Sequence, residues 1–325
     1  MSSQSLSERL RGQRLKLGAA LAAAVAIAAA AGVLLWNGVV ADDEAVVGEW
    51  AFAPQMPHRR SYTASAELGG KIYVAAGMVG ETGRPLDLLD RYDPSTNEWT
   101  TLAPVPESFS APAGASFNGR FWVVGGNSRE VKGRQVYSYD PASNRWRKEP
   151  PLPAIRTNHA AVAADGKLYA IGGLDPFEAT KTVFVYDPAV RRWSEAASLP
   201  VALHAHAASV YRGEIWVFGG RLRSDKVVRQ VWIYNPSQNR WRAGPPLPQP
   251  METLGTSVSG DRIDAVLESL YFVYDGSKWK RGPSMKVPRH ALAVYTVGET
   301  LYAVGGCIVP ELKDSSVMEK IPARA

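Results

Sequence analysis

Short apolar segments recur along the chain after residue 45, and each ends in glycine before the sequence turns polar again. One copy reads Lys71-Ile-Tyr-Val-Ala-Ala-Gly77, and another reads Lys167-Leu-Tyr-Ala-Ile-Gly-Gly173. Continuous apolar runs of this length are typical of β-strands that are covered on both faces. The copies lie at residues 71–77, 120–126, 167–173, 214–220 and 300–306. The pattern therefore predicts one buried strand at each copy.

A turn signal and a tryptophan follow these strands, most clearly in Tyr92-Asp-Pro-Ser-Thr-Asn-Glu-Trp99. Proline presets φ and the Asp side chain bonds nearby backbone N–H groups, so Tyr-Asp-Pro predicts a tight turn. Similar copies begin at Tyr139, Tyr186 and Tyr234. Tryptophan recurs at positions 50, 99, 146, 193, 241 and 279, with intervals of 49, 47, 47, 48 and 38. A period near 47 residues is long enough for four short strands and their turns.

These motifs resemble the kelch family: the diglycine after an apolar strand, the Tyr-Asp-Pro turn, and the tryptophan seven residues later. The resemblance extends over about residues 46–321. It implies an all-β fold, a six-bladed β-propeller in which each blade has four strands, A to D. The blades are predicted at about residues 50–99, 100–146, 147–193, 194–241, 242–279 and 280–321, the last completed by residues 46–50.

The repeats align without gaps when the start of strand A is taken as position zero. The zero positions are Arg60, Phe109, Arg156, Leu203, Met251 and Arg289. The second glycine of the diglycine follows 17 residues later in five repeats, whereas the fifth repeat has Glu268 there. The fifth repeat is also shorter, which predicts a tight turn between strands B and C near Glu268-Ser269. Degeneration of one blade is the favoured interpretation, and a notch for a ligand at the rim is the alternative.

The sixth repeat ends early, with one plausible strand at Val317–Ile321 after Gly306. Val46–Trp50 stands alone before the first complete repeat and resembles a strand D. Docking this segment as strand D of the sixth blade would remove two open sheet edges. Seven blades would need more sequence than the chain has.

The N-terminal 41 residues predict export. Residues 1–16 are basic, and residues 17–41 form an uncharged, apolar run long enough for a transmembrane helix. We expect a cytoplasmic N-terminus, one membrane span and an extracytoplasmic body over residues 42–325. Cleavage near Ala41, which would release a secreted or periplasmic protein, is the alternative.

Charge and composition limit the function. The formal net charge is +6, but the basic tail supplies half of it, and a nearly neutral body argues against binding to nucleic acid. A single Cys excludes a disulfide framework. His204 and His206 are expected on one face of strand A, with His159 equivalent to His206, but no carboxylate cluster accompanies them. We therefore predict no metal, no cofactor and no catalytic residue.

The candidate ligand-binding residues come from the kelch resemblance. In animal kelch adaptors, arginines at position zero and directly after the diglycine line the mouth of the channel and bind acidic side chains. Carried over here, the set forms a cationic cup with Phe109, Leu203 and Met251 as apolar gaps. Its members are Arg60, Arg156, Arg221, Arg289, Asn127, Ser269 and His204. Alternatively, the arginines bind carbonyl groups between blades or acidic groups on the surface.

Two functions follow. The first is a membrane-tethered, non-enzymatic module that binds an unidentified protein or glycan, with acidic ligands among the candidates, through the face that carries the D–A and B–C loops. The second is a sugar-modifying enzyme that resembles kelch-type sialic acid mutarotases. In that case Arg60 or Arg289 would hold a carboxylate and Glu252 would act as acid and base.

Overall fold

The computed structural model describes residues 48–79, 83–127, 133–311 and 313–323, and every regular element in these ranges is a β-strand. The predicted helix over residues 17–41 and the residues Val46 and Val47 lie outside the described ranges. Within those ranges, no helix has the length and hydropathy that a membrane span requires.

The strands are short, and most have five residues. In the first half of the chain they are β1 (Ala51–Ala53), β2 (Ala64–Leu68), β3 (Lys71–Ala75), β4 (Met78–Val79), β5 (Arg84–Pro85), β6 (Leu89–Asp93), β7 (Glu98–Thr101), β8 (Ala113–Phe117), β9 (Arg120–Val124), β10 (Val136–Asp140), β11 (Arg145–Lys148), β12 (Ala160–Ala164), β13 (Lys167–Ile171), β14 (Val183–Asp187) and β15 (Arg192–Ala196). In the second half they are β16 (Leu203–His204), β17 (Ala207–Tyr211), β18 (Glu214–Phe218), β19 (Arg221–Leu222), β20 (Val231–Asn235), β21 (Arg240–Ala243), β22 (Gly255–Ser259), β23 (Arg262–Leu267), β24 (Leu270–Tyr274), β25 (Trp279–Arg281), β26 (Arg289–His290), β27 (Ala293–Val297), β28 (Thr300–Val304), β29 (Cys307–Ile308), β30 (Lys313–Asp314) and β31 (Met318–Pro322).

Most of the strand residues in the described ranges belong to six four-stranded antiparallel sheets, which we call blades 1 to 6. Their strand orders are β2-β3-β6-β7, β8-β9-β10-β11, β12-β13-β14-β15, β17-β18-β20-β21, β22-β23-β24-β25 and β27-β28-β31-β1. The first strand of each blade contacts the first strand of the next, and β27 of blade 6 contacts β2 of blade 1. The blades therefore follow each other in cyclic order.

The hydrophobic cores lie between neighbouring blades. Each of the six clusters of buried residues in the described part of the chain draws side chains from two adjacent blades. The predicted apolar strands fill them: in β3, β9, β13, β18 and β28 the last four residues are buried. The continuous apolar pattern thus reflects strands with a blade packed on either side.

The recurring tryptophans join each blade to the preceding one. The indole N–H of each donates to the backbone carbonyl four residues after the tryptophan of the preceding blade, at 2.7–3.3 Å. The pairs are Trp99 with Pro54, Trp146 with Ala103, Trp193 with Pro150, Trp241 with Ala197, Trp279 with Pro245 and Trp50 with Pro283. The spacing of the tryptophans therefore reports the contact between blades.

The predicted tight turns are confirmed. In the Tyr-Asp-Pro turn that begins at Tyr92, the carboxylate of Asp93 accepts the backbone N–H of Ser95 at 3.0 Å. The Tyr92 hydroxyl donates to the side-chain oxygen of Asn97 at 2.7 Å, and Asn97 has a φ of 60°. Asparagine tolerates this left-handed conformation better than most residues, which explains its place in the motif.

The N-terminal strand differs in position from the prediction. β1 pairs antiparallel with β31, Ala51 opposite Lys320 and Ala53 opposite Met318, so it is the fourth strand of blade 6. It begins after Trp50, whereas strand D was predicted over Val46–Trp50. Continuing the register sets Glu49 opposite Pro322, and proline has no N–H group with which to extend the ladder.

Position zero also lies outside the regular strand A, which begins four residues later in every blade. In every blade, the residue two positions after position zero has a φ between 49° and 53°. This left-handed conformation interrupts the strand. These residues are Tyr62, Ala111, Asn158, Ala205, Thr253 and Ala291. Five backbone hydrogen bonds of 2.7–3.1 Å link them in sequence from Tyr62 to Ala291, each N–H donating to the carbonyl of the residue in the preceding blade.

Candidate functional site

The D–A and B–C loops share one face of the blades, which we call the cup face; the Tyr-Asp-Pro turns lie on the opposite, turn face. At the centre, the hydrogen-bonded left-handed residues surround a cavity of about 120 Å³. The residues that follow them also line it: Thr63, Pro112, His159, His206, Leu254 and Leu292. The left-handed segment between position zero and strand A therefore builds the wall of the central channel.

A bidentate ion pair occupies the cup-face side of this channel. Arg221, in the B–C loop of blade 4, donates from Nε to Glu252 Oε2 at 2.7 Å and from a terminal nitrogen to Glu252 Oε1. A further bond from Arg221 to the carbonyl of Asp225 at 2.9 Å fixes the guanidinium. Both side chains keep some exposure, 12% for Arg221 and 17% for Glu252, so a ligand can reach them. The hydrogen bonds to Glu252 raise the pKa of Arg221.

Three neutral polar side chains accompany this ion pair: His204, His290 and Tyr62, all half-buried. Burial lowers the pKa of both histidines, although the charge of Glu252 opposes that shift. Burial also raises the pKa of Tyr62, and the Tyr62 ring meets His290 edge-on at 6.1 Å. Near neutral pH the two imidazoles are therefore uncharged, and each offers one donor and one acceptor. We call Tyr62, His204, Arg221, Glu252 and His290 the mouth cluster.

Each of the four arginines of the predicted cup is paired with a carboxylate of the chain. The pairs are Arg60–Asp90 at 2.7 Å, Arg156–Asp175 at 2.8 Å, Arg289–Glu319 at 3.0 Å and Arg221–Glu252. Arg60, Arg156 and Arg289 are at most 1% exposed. They also bind carbonyl oxygens, as Arg60 does with Val74 at 2.8 Å and Arg289 with Gly305 at 3.0 Å. These three guanidinium groups thus lie inside the blades, and the structure leaves only Arg221 at the mouth.

The other predicted binding residues lie apart from one another. Asn127 is exposed on the cup face of blade 2, where its backbone pairs with Ser110. Ser269 lies in the short turn of blade 5, and its carbonyl accepts the N–H of Met285 at 3.1 Å. His204 pairs with Arg221 across two short strands and belongs to the mouth cluster. The structure therefore brings His204 and Arg221 together.

The expectation that His204 and His206 share one strand face is wrong, because Ala205 between them has a φ of 53° and breaks the strand. His206 is instead buried like His159, and burial lowers the pKa to about 4 for His206 and about 3 for His159. Their rings pack against the first glycine of the preceding diglycine. Among the described residues, no group of three or more His, Cys, Asp or Glu side chains is arranged to hold a metal.

The sequence interpretation missed Tyr62 and His290, although a signal was present for His290. Directly after position zero, all six repeats have a polar residue: Ser61, Ser110, Thr157, His204, Glu252 and His290. A polar residue that recurs at the same position in every repeat, next to apolar segments, indicates a shared polar surface. The large titratable members of that register, His204, Glu252 and His290, lie in blades 4 to 6 and belong to the mouth cluster, whereas Tyr62 of blade 1 lies one residue beyond the register and had no such signal.

The short turn of blade 5 is confirmed. β23 and β24 are joined by Glu268 and Ser269 alone, with Leu267 opposite Leu270. The N–H of Glu268 donates to the carbonyl of Arg289 at 2.7 Å, the bond that the second glycine makes to the next blade at four other junctions. Glu268 has a φ of 55°, so it adopts the left-handed backbone that glycine adopts elsewhere at this register. Burial raises the pKa of its carboxyl group.

Consecutive four-stranded antiparallel blades around a central channel define a β-propeller. A family model described as the KLHDC2/KLHL20/DRC7 Kelch-repeats domain matches residues 63–265, more than half of the chain. The chain therefore belongs to the kelch-repeat family, whose propellers are typically protein-interaction modules. A solved structure described as the structure of YjhT has the same fold, with a TM-score of 0.71 and 16% identity over 82% of this chain and 95% of that one.

Similar curated proteins match over short segments. Kelch-like protein 35 of Homo sapiens is 39% identical over 61 residues, which are 19% of this chain and 10% of that protein. Kelch-like protein 21 of Danio rerio is 33% identical over 84 residues, 26% of this chain and 13% of that protein. The chain thus spans a small part of these relatives, and the matches establish the repeat.

Proposed function

We propose that this protein is a six-bladed kelch propeller, closed by its N-terminal strand, that binds a protein or glycan ligand at the mouth cluster. The cyclic order of the inner strands and of the tryptophan bonds supports six blades. The apolar run over residues 17–41 supports a tether that holds the propeller outside the cytoplasm. In this proposal, the module works by binding and needs no cofactor.

The mouth cluster carries the proposal. Arg221 and Glu252 hold each other in a fixed geometry, and His204, His290 and Tyr62 add donors and acceptors around the entrance of the cavity. Prearranged polar groups at a concave surface are typical of binding sites, because ordering them costs little when the ligand arrives. Since the ion pair is internally neutral and the imidazoles are uncharged, this surface favours a polar ligand over a strongly acidic one.

The test is a glycan array together with a pull-down from the native envelope, both with the full-length protein. We expect binding that Arg221→Met and Glu252→Gln each reduce at least tenfold. Arg212→Met is the matched control, because Arg212 forms an exposed ion pair with Asp261 in the turns of the opposite face. Equal binding by all three variants would contradict the proposed site.

A sugar-modifying enzyme is the second candidate, and the position of Glu252 favours it. This carboxylate lies in electrostatic range of both imidazoles and the Tyr62 phenol, so proton donors and acceptors converge there. Arg60 and Arg289 are buried, so Arg221 would have to hold a substrate carboxylate. NMR of sialic acid anomers tests this candidate: accelerated mutarotation that Glu252→Gln abolishes would establish it, and an unchanged rate would exclude it.

A further inference from the structure

The B–C connection of blade 5 leaves a gap in the wall of loops around the mouth. In blade 4 the corresponding connection runs between β18, which ends at Phe218, and β20, which begins at Val231; in blade 5 it is two residues long. The register of β22 and β23 pairs Gly255 with Val266, and its continuation sets Thr253 opposite Glu268. The backbone of Glu268 therefore lies next to Thr253 and Arg289, the chain neighbours of Glu252 and His290, at the gap, which we call the notch.

The Glu268 carboxylate differs from the other acidic groups at this face. Asp90, Asp175, Glu252 and Glu319 each pair with one of the four arginines. Within the ranges that the structure describes, the Glu268 side chain makes no hydrogen bond or ion pair, although it is half-buried. Half-burial of an uncompensated carboxylate is unfavourable, so a cationic group placed next to it would gain a charge-assisted bond.

The backbone of Glu268 is also unfavourable for this residue type. Left-handed φ at the first position of a two-residue hairpin turn favours glycine, and the chain has glutamate there. Locally unfavourable residues often occur where a ligand is bound. The same position would accept glycine, as the corresponding position does in the other five repeats.

We propose, on the basis of the proposed function, that the notch and the mouth cluster together bind a basic sugar, with its ammonium group at Glu268. The uncharged groups of Tyr62, His204 and His290 would bond the sugar hydroxyls, and Glu268 would select for a free amine. A sugar unit matches this surface because it offers several neutral hydroxyl groups close to one amine. The proposed site therefore prefers a positively charged ligand, whereas the cationic cup predicted from the sequence would prefer an acidic one.

The test uses two oligosaccharides that differ only in the charge of their amino groups. Calorimetric titration of the full-length protein with a four-unit glucosamine oligomer should give at least about tenfold tighter binding than the N-acetylated oligomer. Glu268→Gln should abolish the preference. Glu299→Gln, which alters an exposed carboxylate on the turn face, should retain it. Glu268→Gly should also abolish it without lowering the melting temperature, which separates loss of binding from loss of fold.

Equal affinity for the two oligomers, no binding of the glucosamine oligomer, or a preference that survives Glu268→Gln would overturn this inference. The proposed function has a separate test. If the array shows another ligand whose binding depends on Arg221, the mouth cluster remains a binding site and only the basic-sugar assignment fails.

Discussion

Trp50 donates its indole N–H to the carbonyl oxygen of Pro283 at 2.9 Å, although 233 positions separate the two residues in the chain. The side chain is 1% exposed and also meets Tyr271 edge-on at 5.5 Å. It joins the N-terminal segment to the junction of blades 5 and 6. This contact, together with the pairing of β1 and β31, makes blade 6 depend on both ends of the described chain.

Removing this contact should destabilise the whole protein. We expect Trp50→Ala to lower the free energy of unfolding by about 3–5 kcal/mol, because a large buried side chain is lost. Trp50→Phe should cost less, since an aromatic ring remains and mainly the hydrogen bond is lost.

A chain that begins at Thr63 lacks β1 and should lose cooperative thermal unfolding. Melting within a degree or two of a chain that begins at Ala45 would contradict the role of the N-terminal strand.

The buried arginines and the arginine at the mouth should differ in how much they contribute to the free energy of unfolding. Arg60→Met and Arg289→Met each remove the guanidinium group that neutralises a buried carboxylate, Asp90 or Glu319, and each should cost about 3–5 kcal/mol in urea unfolding. Arg221→Met should cost about 1–2 kcal/mol, because Glu252 retains access to water. Similar costs for all three variants would show that the division into interior and mouth arginines is wrong.

Replacing Gly173, the second glycine of the diglycine in blade 3, should be unfavourable for a packing reason as well as a backbone one. Gly173 has a φ of 89°, and a Cβ there would lie 2.6 Å from both the Thr157 carbonyl oxygen and His159 Cβ. Gly166, in the A–B turn of the same blade, has a φ of 67° with open space around it. Gly173→Ala should therefore lower the melting temperature clearly more than Gly166→Ala does, since only the backbone strain is common to both.

The membrane orientation can be tested with single cysteines on opposite faces. β1 begins at the turn face, and residues 37–47 span at most about 40 Å, so a retained anchor would hold the turn face towards the bilayer. With membranes opened to the outer side, a bulky maleimide should label Asn127→Cys much faster than Ser95→Cys. Both positions are exposed, so the comparison reports on orientation.

That labelling needs a Cys307→Ser background, although Cys307 should itself react slowly because burial raises the pKa of its thiol to about 11. Faster labelling at position 95 would contradict the orientation. The anchor has its own test: the protein should stay in the membrane fraction after an alkaline carbonate wash. Soluble protein that begins at Asp42 would instead establish cleavage.

The sequence determined the repeat because its signals are local. An apolar run, a Tyr-Asp-Pro turn and a tryptophan at a fixed distance each report the conformation and burial of their own segment. The alignment of Gly77, Gly126, Gly173, Gly220 and Gly306 likewise reflects one backbone requirement repeated along the chain. The two-residue turn at Glu268-Ser269 could be predicted for the same reason. The other repeats align without gaps, so the missing residues of the fifth repeat could be assigned to the connection between strands B and C.

Only the tertiary structure decided what the polar residues do. The kelch resemblance predicted that Arg60 and Arg221 both bind ligands, yet Arg60 is buried against Asp90 and Arg221 lies at the mouth with Glu252. The partner of each arginine comes from a different strand or blade, and the burial of each ion pair depends on how neighbouring blades pack. Charge pairing is a property of positions in space, so a linear pattern that places four arginines on one face cannot show which of them are already neutralised.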